Sequence, residues 1–329
     1  MVKSYASAGV NIAKVKGIHA HVERMLKSTH SPEVMPIYGH YAGLVRTGKE
    51  TIAMHTDGVG TKVLVAHEFK KYDTIGIDCI AMNVNDIICV GAKPTALVDY
   101  LALQHEDEPL VRELMKGLVK GAKEAGVSLI GGETAIMPDL IKGEKGKTGF
   151  DLAGASIGVM RGKPITGERM RPGNAVIGLA SSGVHSNGLT LARKALPKKH
   201  WKELLTPTRI YVKPVMEILA SVTVHGMAHI TGGAFSKLRR IGNYAKVGFM
   251  LDNMPKPLKV FRLLMQAGIC EREMYKTFNM GVGYCIICSQ RDGDKVVSIC
   301  KKHKLKASVI GEITKKRKIV IKTEQTFEV

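Results

Sequence analysis

The chain has 329 residues, 45% of them apolar, and a formal net charge of +20 from 49 Lys and Arg against 29 Asp and Glu. That length suits two domains of ordinary size and supplies a core for each, which excludes disorder of the whole chain. No apolar run approaches the roughly 20 residues of a membrane span, and Met1-Val2-Lys3-Ser4 does not open like a signal peptide, so a cytoplasmic protein with no membrane partner is expected.

In chain order, residues 51–59 have strand composition and lead into the loop Asp57-Gly58-Val59-Gly60-Thr61-Lys62. Ile80, Val84, Ile87 and Ile88 recur at helical spacing, and 95–103 reads as a strand entered through a Lys93-Pro94 turn. Leu110, Leu114, Leu118, Ala122 and Ala125 make one face of a further helix that Gly126 stops. A short apolar strand over 127–130 ends in Gly131-Gly132-Glu133-Thr134, and 151–160 supplies another strand. The polar stretch 163–173, punctuated by Pro164 and Pro172, marks a boundary between domains 1–165 and 166–329.

The second half repeats the mixture. A strand over 175–180 runs into a Gly/Ser/Asn loop, followed by helices over 189–195 and from about 209 to 219. After Thr231-Gly232-Gly233 come a short helix, a strand near 247–251, a helix over 258–266, and strands at 281–288, 308–313 and 319–322. Helix and strand mixed in both halves predict a two-domain α+β fold.

Cys79, Cys89, Cys270, Cys285, Cys288 and Cys300 lie mostly in apolar segments, so buried reduced thiols are expected rather than disulfides. Between Lys295 and Lys322 stand ten basic residues and one acid, Glu312, concentrated in KKHKLK (301–306) and KKRK (315–318). Such runs read first as solvated surface. With aromatics at 5% and none interleaved there, nucleic acid is not the expected partner despite the charge. A cationic surface also attracts small anionic substrates.

The usual nucleotide signatures fail. GxGxxG breaks after Gly58-Val59-Gly60 at Val63 and after Gly281-Val282-Gly283 at Ile286, and a Walker loop ending in Lys147-Thr148 would need glycine where Ile141 stands. Ser186 lacks the glycine of a nucleophile elbow two positions earlier, and the Cys285–Cys288 pair has no second pair to complete a zinc site. What remains is acidic. Asp57 closes a strand, Asp86 follows Asn83 and Asn85 in an otherwise apolar segment, and Glu133 follows two glycines. Carboxylates beside loops with free backbone N–H groups are what a Mg²⁺-bound polyphosphate requires, although Asp57 or Asp86 alone reads first as a turn or cap residue. Ser181-Ser182-Gly183-Val184-His185-Ser186-Asn187-Gly188, leaving a strand and entering a helix, offers donors to an oxyanion. His225 and His229, four apart, would suit a metal on a helix, but Gly226 and the following glycines argue for irregular backbone.

Together HTDGVGTK (55–62), DTIGIDCIAMNVNDI (73–87), GGETAIMP (131–138), SSGVHSNG (181–188), PTRIYVKPV (207–215), AHITGGAF (228–235) and EMYKTFNMGVG (273–283) resemble the phosphoribosylformylglycinamidine cyclo-ligase family, the aminoimidazole ribonucleotide synthetases, from Ser4 to about Ile321. The resemblance implies an N-terminal α+β domain that pairs in a homodimer, a C-terminal α/β/α domain and an ATP site in the cleft associated with them. It implies ATP-dependent closure of the imidazole ring of formylglycinamidine ribonucleotide in purine biosynthesis, through an iminophosphate. By resemblance Asp57, Asp86 and Glu133 are Mg²⁺ ligands, Thr61 and Lys62 touch the triphosphate, and Gly58 and Gly60 let it approach. Ser182, His185, Ser186 and Asn187 become substrate contacts, and His185 or His229 the proton carrier. His229 stands where sister families, such as selenophosphate synthetase and thiamine-phosphate kinase, often have aspartate. Departures fall at Ser7 and Asn11, where the family is commonly acidic, and in MPIYGHYAG (35–43), which keeps only Gly39 and Gly43 of a Gly-rich loop expected to fold over the nucleotide. Lys27 is a candidate phosphate partner, although it reads first as an ordinary exposed helix lysine.

Overall fold

The computed structural model describes residues 12–143, 148–160 and 162–329; Ser7 and Asn11 lie outside them. The first half comprises α1 (Ile12–Lys27), β1 (Gly43–Thr47), β2 (Glu50–Gly58), α2 (Lys62–Phe69), α3 (Asp73–Cys89), β3 (Lys93–Leu103), α4 (Glu108–Ala125), β4 (Ser128–Ile136) and β5 (Phe150–Met160). Its strands form one sheet in the order β1-β2-β5-β3-β4, antiparallel except for β3 and β4, which α4 connects. In α4 the five apolar residues read from the sequence are all buried, Asp107 caps the start by accepting from Leu110 N–H, and Gly126 ends the helix at φ 72°.

α3 is apolar on nearly every face, and a helix of that kind must be buried all round. Every residue from Thr74 to Cys89 is buried. It packs backbone to backbone on α4: a Cβ at Gly76 would stand 2.2 Å from Leu118 N, and one at Gly117 2.0 Å from Asp73 O. Only glycine permits that approach.

The second half comprises β6 (Ala175–Ala180), α5 (Leu189–Ala195), α6 (Val212–Ser221), β7 (Val224–His229), α7 (Arg239–Ala245), β8 (Gly248–Leu251), α8 (Lys259–Gln266), α9 (Glu271–Thr277), β9 (Val282–Cys288), α10 (Gly293–Lys302), β10 (Ala307–Thr314), β11 (Ile319–Lys322) and β12 (Thr326–Glu328). Its strands form a second sheet, β12-β11-β8-β10-β6-β9-β7. One apolar core runs through both halves, from Val65 and Ile80 to Phe261 and Ile286. No helix among the described residues is long and apolar enough to cross a membrane.

Several expectations need correction. His225 and His229 lie on a strand, β7, and not on a helix; the irregular backbone expected here is confined to a register shift between Val224 and Gly226, at His225. α6 begins at Val212, since the Arg209 carbonyl and the Tyr211 N–H are bonded to Asn85 of α3. Glu133 does not follow a strand but lies within β4, whose ladder with β3 continues through both glycines. All six cysteines are unpaired, but Cys270, preceding α9 at the surface, is exposed.

Candidate active site

Asp78, Asn85 and Asp86 recur seven and eight residues apart, which sets them on one face of α3, and that face meets the second half of the chain. All three are buried, so each must find partners. Asp78 Oδ1 accepts from Thr208 N–H (2.7 Å) and Thr208 Oγ1 (2.6 Å) and lies 2.9 Å from Lys62 Nζ. Lys62 also donates to Thr206 O (2.8 Å). Asn85 Oδ1 accepts from Tyr211 N–H (3.0 Å), while its amide nitrogen donates to Arg209 O (2.8 Å) and faces His229 Nε2 at 3.4 Å. With Nε2 as acceptor, His229 Nδ1 carries the proton and donates to Asp86 Oδ1 at 2.7 Å. Asp86 Oδ2 stands 3.4 Å from His55 Nε2 on β2.

Burial by itself would raise the Asp86 pKa, but the hydrogen bond from His229 and the neighbouring His55, His229 and Lys237 hold it below the ordinary carboxylate value. Asp57 behaves oppositely. Burial and then the negative charge of Asp86 raise it, against the Gly58 N–H, His55 and Lys237. Asn83 pins Asp57 to α3, accepting from its N–H and donating to its carbonyl, both at 3.1 Å. The charge of Asp86 thus reaches Asp57 at the seam between the halves. Lys237, in the short turn after Thr231-Gly232-Gly233, faces them with its pKa lowered to about 8 by burial and by Arg240, against the pull of Asp86 and Asp57.

The remaining expected residues divide. Gly60 (φ 57°) has open space at its α-carbon, and Thr61 is exposed, its hydroxyl 3.2 Å from that of Thr190. Gly58 closes β2, its N–H donating to Asp57 Oδ1 (2.8 Å). Lys62 is fully buried and spent on Asp78 and Thr206, so its ammonium ties the two halves together instead of presenting itself to a phosphate. Glu133 is exposed and pairs in register with Tyr100, Ala153 and Gly58 across β3, β5 and β2. Three strand spacings, about 14 Å, separate β4 from β2, so one ion cannot touch both Glu133 and Asp57 in this chain. Among the described residues no three His, Cys, Asp or Glu side chains gather as a metal site.

In the second half, Ser182 Oγ donates to Pro207 O (2.6 Å), Ser186 Oγ lies 3.3 Å from Thr208 Oγ1, and Asn187 Nδ2 is buried with no partner among the described residues. His185 is buried at φ 61°, a strained backbone for a residue other than glycine, with Nε2 accepting from Ser182 N–H (3.3 Å). Burial, then His229, Lys62 and Arg209, push its pKa well down, which keeps it neutral. The segment 38–42 docks on the second half: Tyr41 OH donates to Lys237 O (3.2 Å), and Tyr244 OH to Tyr38 O (2.9 Å). Lys27 pairs with Glu23 (3.0 Å) over the Tyr38 ring.

Sequence reasoning passed over Asp78, His55 and Lys237. Asp78 carried a signal, being a charged residue on an otherwise buried helix eight positions before Asp86. Lys237 carried none, since AFSKLRR reads as an ordinary basic helix start.

Two family models match the chain: "AIR synthase related protein, N-terminal domain" over residues 39–160 and its C-terminal counterpart over 171–324. Among solved structures it is similar to a chain of the HypE-HypF complex (TM-score 0.70, 20% identical, 94% of this chain and 98% of that one). It is also similar to AaThiL complexed with AMPPCP and TMP (TM-score 0.69, 13% identical, 95% and 96%). Fold and models therefore define a two-domain α+β protein of the AIR synthase related class. The chain is 51% identical over 295 residues to the phosphoribosylformylglycinamidine cyclo-ligase of Pyrococcus furiosus, covering 86% of this chain and 85% of that protein. It is 48% identical over 330 residues to that of Thermococcus gammatolerans, covering 95% and 96%. The chain belongs to the phosphoribosylformylglycinamidine cyclo-ligase family.

Proposed function

We propose that the cleft carries out the reaction for which the family is named: ATP-dependent closure of the imidazole ring of formylglycinamidine ribonucleotide, giving 5-aminoimidazole ribonucleotide, ADP and phosphate in purine biosynthesis. An amide oxygen leaves poorly. Transfer of the γ-phosphoryl group to that oxygen releases ADP and gives an iminophosphate. The neighbouring amine then attacks the same carbon, a C–N bond forms, the C–O bond breaks, and phosphate departs with the electron pair while the amine loses its proton. Such chemistry asks the protein chiefly for positioning and charge neutralisation.

The observation that carries this reading is that Asn83, three residues before Asp86 on α3, bonds the Asp57 N–H (3.1 Å) while His229 bonds Asp86 (2.7 Å), which sets both carboxylates at the seam between the halves. A pair of hard oxygen donors fits Mg²⁺, which takes one or two carboxylates and completes its shell with water and phosphate oxygens. When bound, Mg²⁺ would neutralise charge on the transferring phosphoryl group. Asp57 and Asp86 would hold it, His229 and His55 orient Asp86, and Lys237 supplies a cation for the phosphate. Glu133 is not assigned to that ion. Both His229 ring nitrogens are engaged with Asp86 and Asn85, so His229 is read as a positioning residue and neutral His185 as the remaining candidate for the proton. Asn187 and Ser186 are read as substrate donors, with Ser182 bracing the loop.

A homodimer is supported by the open face of the first sheet, where Met54, Val98, Tyr100 and Ile130 are exposed. Six unpaired cysteines suit a reducing cytoplasm. The test is direct: the chain with formylglycinamidine ribonucleotide, ATP and Mg²⁺ yields ADP and aminoimidazole product one to one. Absence of ADP release ends the proposal; ATP use with thiamine phosphate or selenide instead would favour a sister activity.

A further inference from the structure

β10 carries the two basic runs at its opposite ends, so they are separate surfaces. The KKRK turn between β10 and β11 is pinned. A Cβ at Gly248 would stand 1.8 Å from Lys316 O and 2.3 Å from Lys318 O, so the turn lies directly on β8. Phe249 N–H donates to Lys318 O (2.8 Å), Lys318 N–H to Lys316 O (2.7 Å), and Arg317 Nε to Lys246 O (3.3 Å). Turn, α7 and β8 enclose a cavity of about 60 Å³ lined by Arg239, Asn243, Lys246, Arg317 and Lys318 above Phe249. Glu328 lies 2.9 Å from Lys318 and 3.8 Å from Arg239, and among the described residues no carboxylate pairs with Lys246 or Arg317.

We propose that this pocket binds one tetrahedral oxyanion: inorganic phosphate or the phosphate of a phosphomonoester. Glu328 answers Lys318 and Arg239, which leaves Lys246 and Arg317 at the same cavity with no carboxylate partner among the described residues, and guanidinium groups match phosphate oxygens in pairs. The volume holds a few waters, enough for the oxygens of one phosphate. Phe249 is only 1% exposed, so no aromatic face is offered for stacking a nucleic acid. Its lining includes none of the residues assigned to the cleft. The inference does not depend on the proposed reaction.

The experiment is calorimetric titration of potassium phosphate into the full chain, with potassium chloride at matched ionic strength as the control. Arg317→Ala and Lys246→Asn are each expected to weaken one phosphate site at least tenfold without lowering the melting temperature in chloride. Asp57→Asn, altered in the cleft, should retain that site. Ribose 5-phosphate competing there more tightly identifies the monoester as the ligand, and failure to compete identifies the free ion. Phosphate heats equal to chloride, or equal phosphate binding in the wild type and both variants, overturn the proposal. So does RNA binding that both variants abolish in a chain that takes up no phosphate.

Discussion

Asp86 on α3 and His229 on β7 join the two halves through a 2.7 Å hydrogen bond, with His229 wholly buried. The pair fixes the carboxylate that faces Asp57 and anchors the second sheet to the central helix. His229→Ala would leave Asp86 buried without its main donor. A loss of about 3–5 kcal/mol in urea unfolding is expected for such a broken pair, with a 10- to 100-fold fall in activity or in apparent Mg²⁺ affinity, roughly that of other groups that orient a ligand. Wild-type values for both would refute the positioning role.

Asp57 is raised by burial and by Asp86, so its charge strains the ligand-free protein. Asp57→Asn removes that charge and keeps the shape. The melting temperature should hold or rise while turnover falls by about 100-fold or more, the trade-off expected of a functional carboxylate. A destabilised but fully active variant would place Asp57 among the merely structural residues.

Lys62 and Asp78 are both fully buried. Lys62→Ala should therefore cost about 3–5 kcal/mol in denaturant unfolding. Removing the exposed Lys198–Glu68 pair (2.8 Å) through Lys198→Ala should cost at most about 1 kcal/mol. If Lys62 instead raised the KM for ATP without changing stability, the phosphate role implied by the resemblance would be restored.

His40 is buried, and desolvation chiefly lowers its pKa from the ordinary 6.5 to about 4. The unfolded chain takes up this proton below pH 6.5 and the folded chain only near 4, so stability is complete above 6.5 and declines as pH falls toward 4. The loss from His40 alone is at most about 3 kcal/mol. His40→Phe, which keeps the ring contacts with Tyr41 and Tyr244, should flatten the pH dependence of urea midpoints across that window.

Ile130, 66% exposed on the edge strand β4, belongs to the face proposed to meet a second chain. Ile130→Lys should shift sedimentation from dimer toward monomer with little change in the monomer's far-UV spectrum. An unchanged dimer would move the interface elsewhere.

Much of this was readable in advance, for reasons that differ by element. The α4 stripe from Leu110 to Ala125 and its Gly126 stop were plain because local periodicity and capping chemistry decide them. α2 and β7 were not read: Lys62–Phe69 is short with no apolar stripe, and β7 mixes His and Gly with few β-formers. Asp57, Asp86 and His229 were singled out as polar groups in unusual settings, but their partners lie 26 to 144 residues away in the chain.

The order of polar and apolar residues therefore determined the α+β class, most strands and helices, and the motifs that mark the cleft. Only the tertiary structure decided that Lys62 is consumed by Asp78, that Glu133 stands three strands from Asp57, and that KKRK closes a pocket. Propensity and motif act over a few neighbouring residues, whereas a buried charge takes whichever partner the packing of distant segments brings within hydrogen-bond reach.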